Sequence, residues 1–438
     1  MLLRQVVSCR RLLARAAAAV CVVSTAASLS AQSSSTNIPI RSLGPVTAVS
    51  SDTLGPRVAV RALSNGTVLV NDIVRQRVRL YDATLATSRV VIDSGAGGGN
   101  ASMPVSVPSA QLIPFPGDST LYVDVASAAL LVLDPQGKVA HVMALPRPRD
   151  AMFLAIGGMY GSPAVDGQGR LVYRGVVITP PRAPTGNAAG ATATMGGMMG
   201  FRLPQQPDSS PIVRADFDTR KVDTLTMIKA LNPTSKMAIS QDKTGNFVLT
   251  LTLNPLDAGD EWAVLSDGTI AIVRAHDYHV DFVGADGSIR SAPKMPFDWM
   301  RLTEEQKQFK IDSLRPELEK QMMLQGVNLP SIPTPNGVRK ISLAFDFVPL
   351  KEIPDYEPPV SPGSVKADLN NNLWIVARTA IGGGSAGLRY DVVNSQGVLV
   401  ERVQFPKGKV LAGFGAGGVV YLLNTDGKTA VLERASLK

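Results

Sequence analysis

The chain has 438 residues, of which 45% are hydrophobic and only 5% aromatic, with 39 glycines and 31 prolines. That composition is enough for a substantial core and points to many turns rather than long helices. The formal charge of +8 invites a nucleic-acid reading, but no basic run interleaved with aromatics supports one.

The first 31 residues read as a signal peptide. Arg4, Arg10, Arg11 and Arg15 stand without an acid in Met1 to Arg15, Ala16 to Leu29 is apolar and small, and Leu29-Ser30-Ala31 resembles a signal-peptidase site. The apolar run is shorter than the roughly 20 residues a membrane span needs. Export to a periplasmic or extracellular compartment is therefore expected, by a general or a twin-arginine route suggested by Arg10-Arg11. A mitochondrial presequence, equally rich in Arg, is the rival reading. Four of the 44 Lys and Arg residues leave with this leader, so the mature chain carries 40 bases against 36 acids, a net charge of +4. Both cysteines, Cys9 and Cys21, leave too. The expected mature protein, residues 32–438, is a single monomeric domain without disulfides, thiolate metal sites or a transmembrane segment.

Ile38 to Ser50 is a short apolar segment with no hairpin partner nearby. From Val58 onward the chain repeats itself: VAVRAL, a Ser64-Asn65-Gly66 turn, TVLVNDI, RVRLYDA and SRVVID make four strands in 36 residues. Residues 94 to 103 form a Gly-rich connector that lacks the Lys-Ser/Thr ending of a phosphate loop. A second unit spans about 109 to 146. A third starts near Gly161 and is interrupted at 180–210 by a polar, Gly- and Met-rich loop that cannot build a core of its own. Residues 237–254 contain an alternating run, Phe247 to Leu253, that belongs either to the third unit or to an extra one.

Residues 259–296 are the clearest unit. Trp262 to Leu265, a Ser266-Asp267-Gly268 turn, Thr269 to Val273, His279 to Val283, an Ala285-Asp286-Gly287 turn and Ser288 to Lys294 predict a complete four-stranded meander. Residues 297–357 then change character. Thr303 with Gln306 forms a capping box, Glu304 to Leu314 reads as helix, Pro316 restarts it, and Gly326 closes it. Pro-spaced chain and a strand, ISLAFDFV, follow. A fifth unit, from SVKADLNNNLWIVARTA through VLVERVQF, has a Gly-rich loop at 381–387, and a last stretch supplies only three strands. The segment near Ile38 to Ser50 is the expected fourth.

Repeats of about 40 residues, each a four-stranded meander, are the signature of a β-propeller. The prediction is an all-β fold of six antiparallel blades, closed by pairing the first strand with the last unit and carrying a helical insertion between two blades. ADLNNNLWIVAR, AVDGQGRLVYRG and VLSDGTIAIV resemble the Asp-x-x-Gly-Asn-Leu-Trp-Val blade signature of six-bladed propellers of the NHL and TolB-like type, with Asn371 in the place of its Gly. The resemblance implies a fold that hosts lactonases, peptidyl lyases, receptors and assembly factors. It also implies that second-to-third-strand loops and blade-to-blade connections share one mouth of the central channel. The 180–210 loop, the 381–387 loop and the helical insertion would crowd that mouth.

Chemistry, if present, is expected there. His276, Asp277, Tyr278 and His279 lie between the second and third strands of the 259–296 unit, with Asp260 and Glu261 at its start. Two imidazoles and a carboxylate suit a divalent metal such as Zn or Ni, a His beside Asp277 suits a general base, and a hydrogen-bonded hairpin needs neither. Histidines three apart on an extended strand face opposite ways, so a shared ion requires the turn to bend. No Gly-x-Ser-x-Gly, His-Glu-x-x-His or Cys-x-x-Cys-His motif is present. The calcium ligands of lactonase-type propellers find no match: Asp368, Asn370 and Asn371 sit in a hairpin turn. The expected function is ligand or protein binding at the mouth, without a cofactor; the alternative is a metal-dependent hydrolase or lactonase.

Overall fold

The computed structural model describes residues 38–93, 111–156, 161–175, 207–231, 234–325, 332–334, 337–377 and 387–437. Among the described residues, six antiparallel sheets of four or more strands follow one another, built mainly within 58–93, 113–144, 164–229, 261–291, 360–404 and 409–436. In the first five, four successive strands pair in sequence order. The signature residues explain the turns between first and second strands. Asp368 accepts the backbone N–H groups of Asn370 and Asn372 and the Trp374 indole N–H, and Asp166 accepts those of Gln168 and Arg170. Asn371 takes the position usually given to Gly at φ +62°, in the left-handed region that Asn tolerates.

Each sheet packs on the next. Leu63, Leu69 and Val78 of the first meet Leu112, Tyr122 and Leu133 of the second, and Leu121 and Leu130 meet Tyr173 and Val213 of the third. Val172, Ile212 and Ile228 then meet Trp262 and Ile272 of the fourth. Trp374, Tyr390 and Val403 of the fifth meet Leu411, Val420 and Leu422 of the sixth, and Tyr421 and Leu432 close on Val68 and Tyr81 of the first. The fourth and fifth sheets are joined by polar contacts as well. The Tyr278 hydroxyl donates to Asp391 at 2.7 Å, the Arg290 guanidinium donates to the Ser395 carbonyl at 2.7 Å, and Asn371 accepts the Ser266 N–H at 2.7 Å. Side chains from neighbouring sheets thus bury each other around a propeller.

The amino-terminal segment does more than the sequence suggests. Ala48–Val49 pairs antiparallel with the last strand, Ala430–Ser436, and supplies the strand missing from the sixth sheet. Before that, Ile40–Ser42 lies parallel to Leu399–Gln404, as a fifth strand on the fifth sheet. One segment therefore straps the rims of two neighbouring blades.

Residues 237–254 belong to an added sheet. Thr234–Gln241 and Phe247–Leu253 form a hairpin, and Ile341–Phe347 lies parallel to its second strand with Phe247 opposite Ile341. This sheet is built from the connections before and after the fourth blade. Helix Glu304–Gln325 joins it through Leu302, Ile311, Phe347, Val348 and Ile353. The expected capping box forms: the Thr303 N–H reaches Gln306 at 2.9 Å and the Gln306 N–H reaches Thr303 at 3.2 Å. The helix does not restart at Pro316 as its sequence suggests but runs through it. Proline removes one backbone donor and crowds the preceding turn. The helix is anchored upstream of that point, where the buried Lys307 ammonium donates to the Ile353 carbonyl at 3.0 Å and to Asp355 at 2.8 Å. No helix among the described residues is long and apolar enough to cross a membrane. The loops predicted at 180–210 and 381–387 lie almost wholly outside the described residues.

Candidate functional site

The fourth blade forms as its turn residues and apolar alternation dictate, from Glu261–Val264, Ile270–Arg274, His279–Val283 and Ile289–Ser291. Glu261 stands opposite Val273, and Arg274 opposite His279. That register places Asp260 and the turn at 275–278 on one end of the sheet. All six candidate residues therefore gather there, next to both connections that build the added sheet.

They do not converge on a metal. Tyr278 occupies the turn at φ +52°, its side chain fully buried and its hydroxyl on Asp391. His276 is left exposed. The His279 ring is held on both sides, with Nδ1 2.6 Å from Asp277 and Nε2 3.2 Å from Asp281, so neither nitrogen is open to an ion. Among the described residues no group of three His, Cys, Asp or Glu side chains is arranged to hold one.

What the residues form is a line of alternating acidic and basic side chains. Lys294 lies 3.2 Å from Asp277, which holds His279, which touches Asp281. Arg274 bridges inward, with Nε 2.7 Å from Asp281 and Nη1 2.7 Å from Asp260. Asp260 also accepts the Lys229 N–H of the third blade at 2.9 Å. Burial opposes ionisation of Asp281, but hydrogen bonds from Ser291 and Arg274 outweigh it and hold its carboxyl below the ordinary range. Arg274 loses solvation by burial, yet its bonds to Asp281 and Asp260 push its guanidinium higher still. Each side chain is partnered by the next, and the line fixes the turn's shape.

Glu261 stands apart from this line. It is 5% exposed, and its carboxyl accepts the Gly363 N–H of the fifth blade at 2.8 Å. Burial pushes it up to about 8, against the opposing pull of the Gly363 hydrogen bond and the Arg174 charge. It is largely protonated at neutral pH. Gly363 is presented by an irregularity in strand Val360–Ala367, where four residues intervene between the pairs Val360 with Ala377 and Val365 with Ile375.

A row of aromatic rings leaves the same turn. Tyr278 meets Phe297 edge-on at 5.5 Å, Phe297 meets Trp299 at 5.0 Å, and Trp299 meets Tyr356 at 6.5 Å. The row runs from full burial to the surface, where Trp299 is 42% and Tyr356 46% exposed. The other two tryptophans, Trp262 and Trp374, are each 1% exposed. Met300 beside the row is exposed as well, and a backbone bridge between Arg301 and Tyr356 holds the outer rings together. Sequence reasoning missed this row. Its signal was PFDWM, two aromatics within three residues of a chain poor in them. Asp281, Asp391 and Arg274 were missed too, because a strand of alternating residues does not show which polar side chain meets which neighbour.

No protein-family model matches the chain, and no curated protein matches it. Solved structures do match. A gluconolactonase from Xanthomonas campestris is 10% identical, with 90% of this chain and 94% of that chain covered, at a TM-score of 0.35. A catalytically inactive virginiamycin B lyase from Staphylococcus aureus, solved with quinupristin, is 12% identical over 88% and 96%, at 0.36. A member of the duf4221 family from Bacteroides vulgatus is 10% identical over 91% and 96%, at 0.40. Likeness at this level says nothing about the chemistry of this chain.

Proposed function

We propose that the protein is an exported, six-bladed propeller of the NHL or TolB-like type that binds a ligand or protein partner at the end of the fourth blade where the added sheet is attached. The observation that carries this reading is the row from Tyr278 to Trp299 and Tyr356. An aromatic surface that exposes its outer rings while its inner end is locked to Asp391 is a rigid contact surface, and exposed aromatics with polar neighbours are characteristic of binding sites. The charged side chains around it are engaged with one another, which suits a scaffold better than proton transfer. Screening the mature protein on glycan and peptide arrays tests the reading. Binding that disappears in Trp299→Ala, with the melting temperature unchanged, supports it; binding indifferent to both Trp299→Ala and Tyr356→Ala overturns it. Export is checked by amino-terminal sequencing of secreted material, expected to begin at Gln32.

One observation favours the second reading, a metal-dependent hydrolase or lactonase. Glu261 is a buried carboxyl pushed up to about 8, and carboxyls so perturbed occur at acid-base sites as well as in structural pairs. Stoichiometric metal in the purified protein, with lactone hydrolysis lost in Glu261→Gln, would decide for it.

A further inference from the structure

An outer blade strand left uncovered offers unpaired N–H and C=O groups to an extended chain, and folded proteins blunt such edges. Five of the six are blunted here. Ser88–Asp93 carries Arg89 and Asp93, Val222–Lys229 carries Asp223 and Lys229, and Ile289–Ser291 is only three residues long with Arg290 at its centre. Leu399–Gln404 and Ala430–Ser436 are covered by Ile40–Ser42 and Ala48–Val49. The sixth, Val139–Ala144 of the second blade, reads VAHVMA. It holds no charged residue and no proline, and among the described residues no strand lies against it. Val139 is 47% and Val142 60% exposed. Its pairing is irregular only between Val139 and His141, so His141 to Ala144 is a regular edge.

We propose that this edge takes an extended peptide from another protein, which adds a strand to the second blade as Ile40–Ser42 does to the fifth. The flanks specify its chemistry. Lys138 precedes the strand, and Arg147 and Arg149 follow it. Of the nearest acids, Asp134 accepts the Lys138 N–H within its own turn, and buried Asp150 accepts the Tyr173 hydroxyl while lying 3.5 Å from Arg147 and 3.9 Å from Arg149, so that two bases share one acid at that end. The occupant is a strand with β-branched residues at its centre and acidic residues at both ends. A second copy of this edge fits poorly, because antiparallel self-pairing about 141 and 142 would set Lys138 of one copy against the Arg147 end of the other, base against base.

The test uses the full mature protein and a fluorescein-labelled synthetic peptide, Glu-Glu-Thr-Val-Thr-Val-Glu-Glu, with hydrogen exchange read across 139–144. Bound peptide should slow exchange there about tenfold, and Val142→Lys should weaken binding about tenfold with circular dichroism and Tm unchanged. The double variant Lys138→Glu, Arg149→Glu should weaken it as well. Absence of protection at millimolar peptide overturns the proposal, and so does protection that survives Val142→Lys. A dimer of the free protein that Val142→Lys dissolves would also overturn it, by assigning the edge to a second copy.

Discussion

Replacing Arg274 by methionine removes the centre of the charge line while keeping a side chain of similar length. The Asp260 and Asp281 side chains are only 7% and 9% exposed, and Arg274 itself 24%. Removing one partner of a buried pair costs about 3–5 kcal/mol, because the remaining charge stays desolvated. Two carboxylates are stranded here, but each keeps other donors, Lys229 N–H on Asp260 and Ser291 on Asp281. A loss of about 3 kcal/mol at pH 7 is therefore expected in guanidinium unfolding. The pH dependence supplies the sharper test. In the wild type the Asp281 carboxyl is held low, so its contribution is present above the unfolded value and is lost as pH falls through the lower, folded one. Without Arg274, burial dominates and pushes the Asp281 carboxyl up, so the variant recovers part of its deficit as pH falls from 7 to 5. Arg274→Met combined with Asp281→Asn should recover part of it at pH 7. A loss below about 1 kcal/mol, the size of an exposed pair, with an unchanged pH profile would refute the reasoning.

Glu261→Gln should cost little at pH 7, since the native carboxyl is already largely protonated and a Gln oxygen can accept the Gly363 N–H. The raised value, about 8, means that the wild type loses stability as pH climbs from the unfolded carboxyl value towards 8; the variant should lack that slope, which paired denaturant titrations at pH 5 and pH 8.5 would reveal. Tyr278→Phe should cost about 1.5–3 kcal/mol, the range for a hydrogen bond to a charged group, and Asp391 would keep its bond to Arg402 at 3.0 Å. Gly397→Ala should be more damaging than a surface change: φ is +83° and a Cβ there would lie 2.2 Å from that of Ala292. A loss of about 2 kcal/mol or more by thermal unfolding is expected, and a neutral result would contradict the close approach of the fourth and fifth blades.

The meanders were legible because their turns are written in local chemistry. Ser-Asp-Gly at 266–268 and Ala-Asp-Gly at 285–287 fall between the strands they were expected to join. The added sheet was not legible, since Phe247–Leu253 takes its partner from Ile341–Phe347, beyond an entire blade. No periodicity reports a parallel pairing across such a distance. Continuity of the helix through Pro316 was hidden for a similar reason, because Lys307 is anchored by carbonyls more than 40 residues downstream. At the candidate site, the sequence brought His276, Asp277, Tyr278 and His279 into one turn but could not orient them. One left-handed residue, Tyr278, sends its phenol into the neighbouring blade and leaves the imidazoles with separate surroundings. Glu261 falls at the start of its strand as expected, yet its raised value comes from burial that the sequence could not show, against the opposing hydrogen bond from Gly363 of the next blade.

The strap at the amino terminus carries a kinetic consequence. Leu54 and Ala430 exchange backbone hydrogen bonds at 2.8 and 2.9 Å, and Thr47 donates to the Arg434 carbonyl across 387 positions. Ala48–Val49, made early in synthesis, must therefore wait for Ala430–Ser436, made last, before it is paired. Contacts so remote in sequence form slowly, and until they do, the apolar residues between the sixth and first blades face solvent and other chains. Ring closure is the step at which a nearly finished molecule is most exposed to aggregation or proteolysis, and a chain shortened by its final strand would remain in that state.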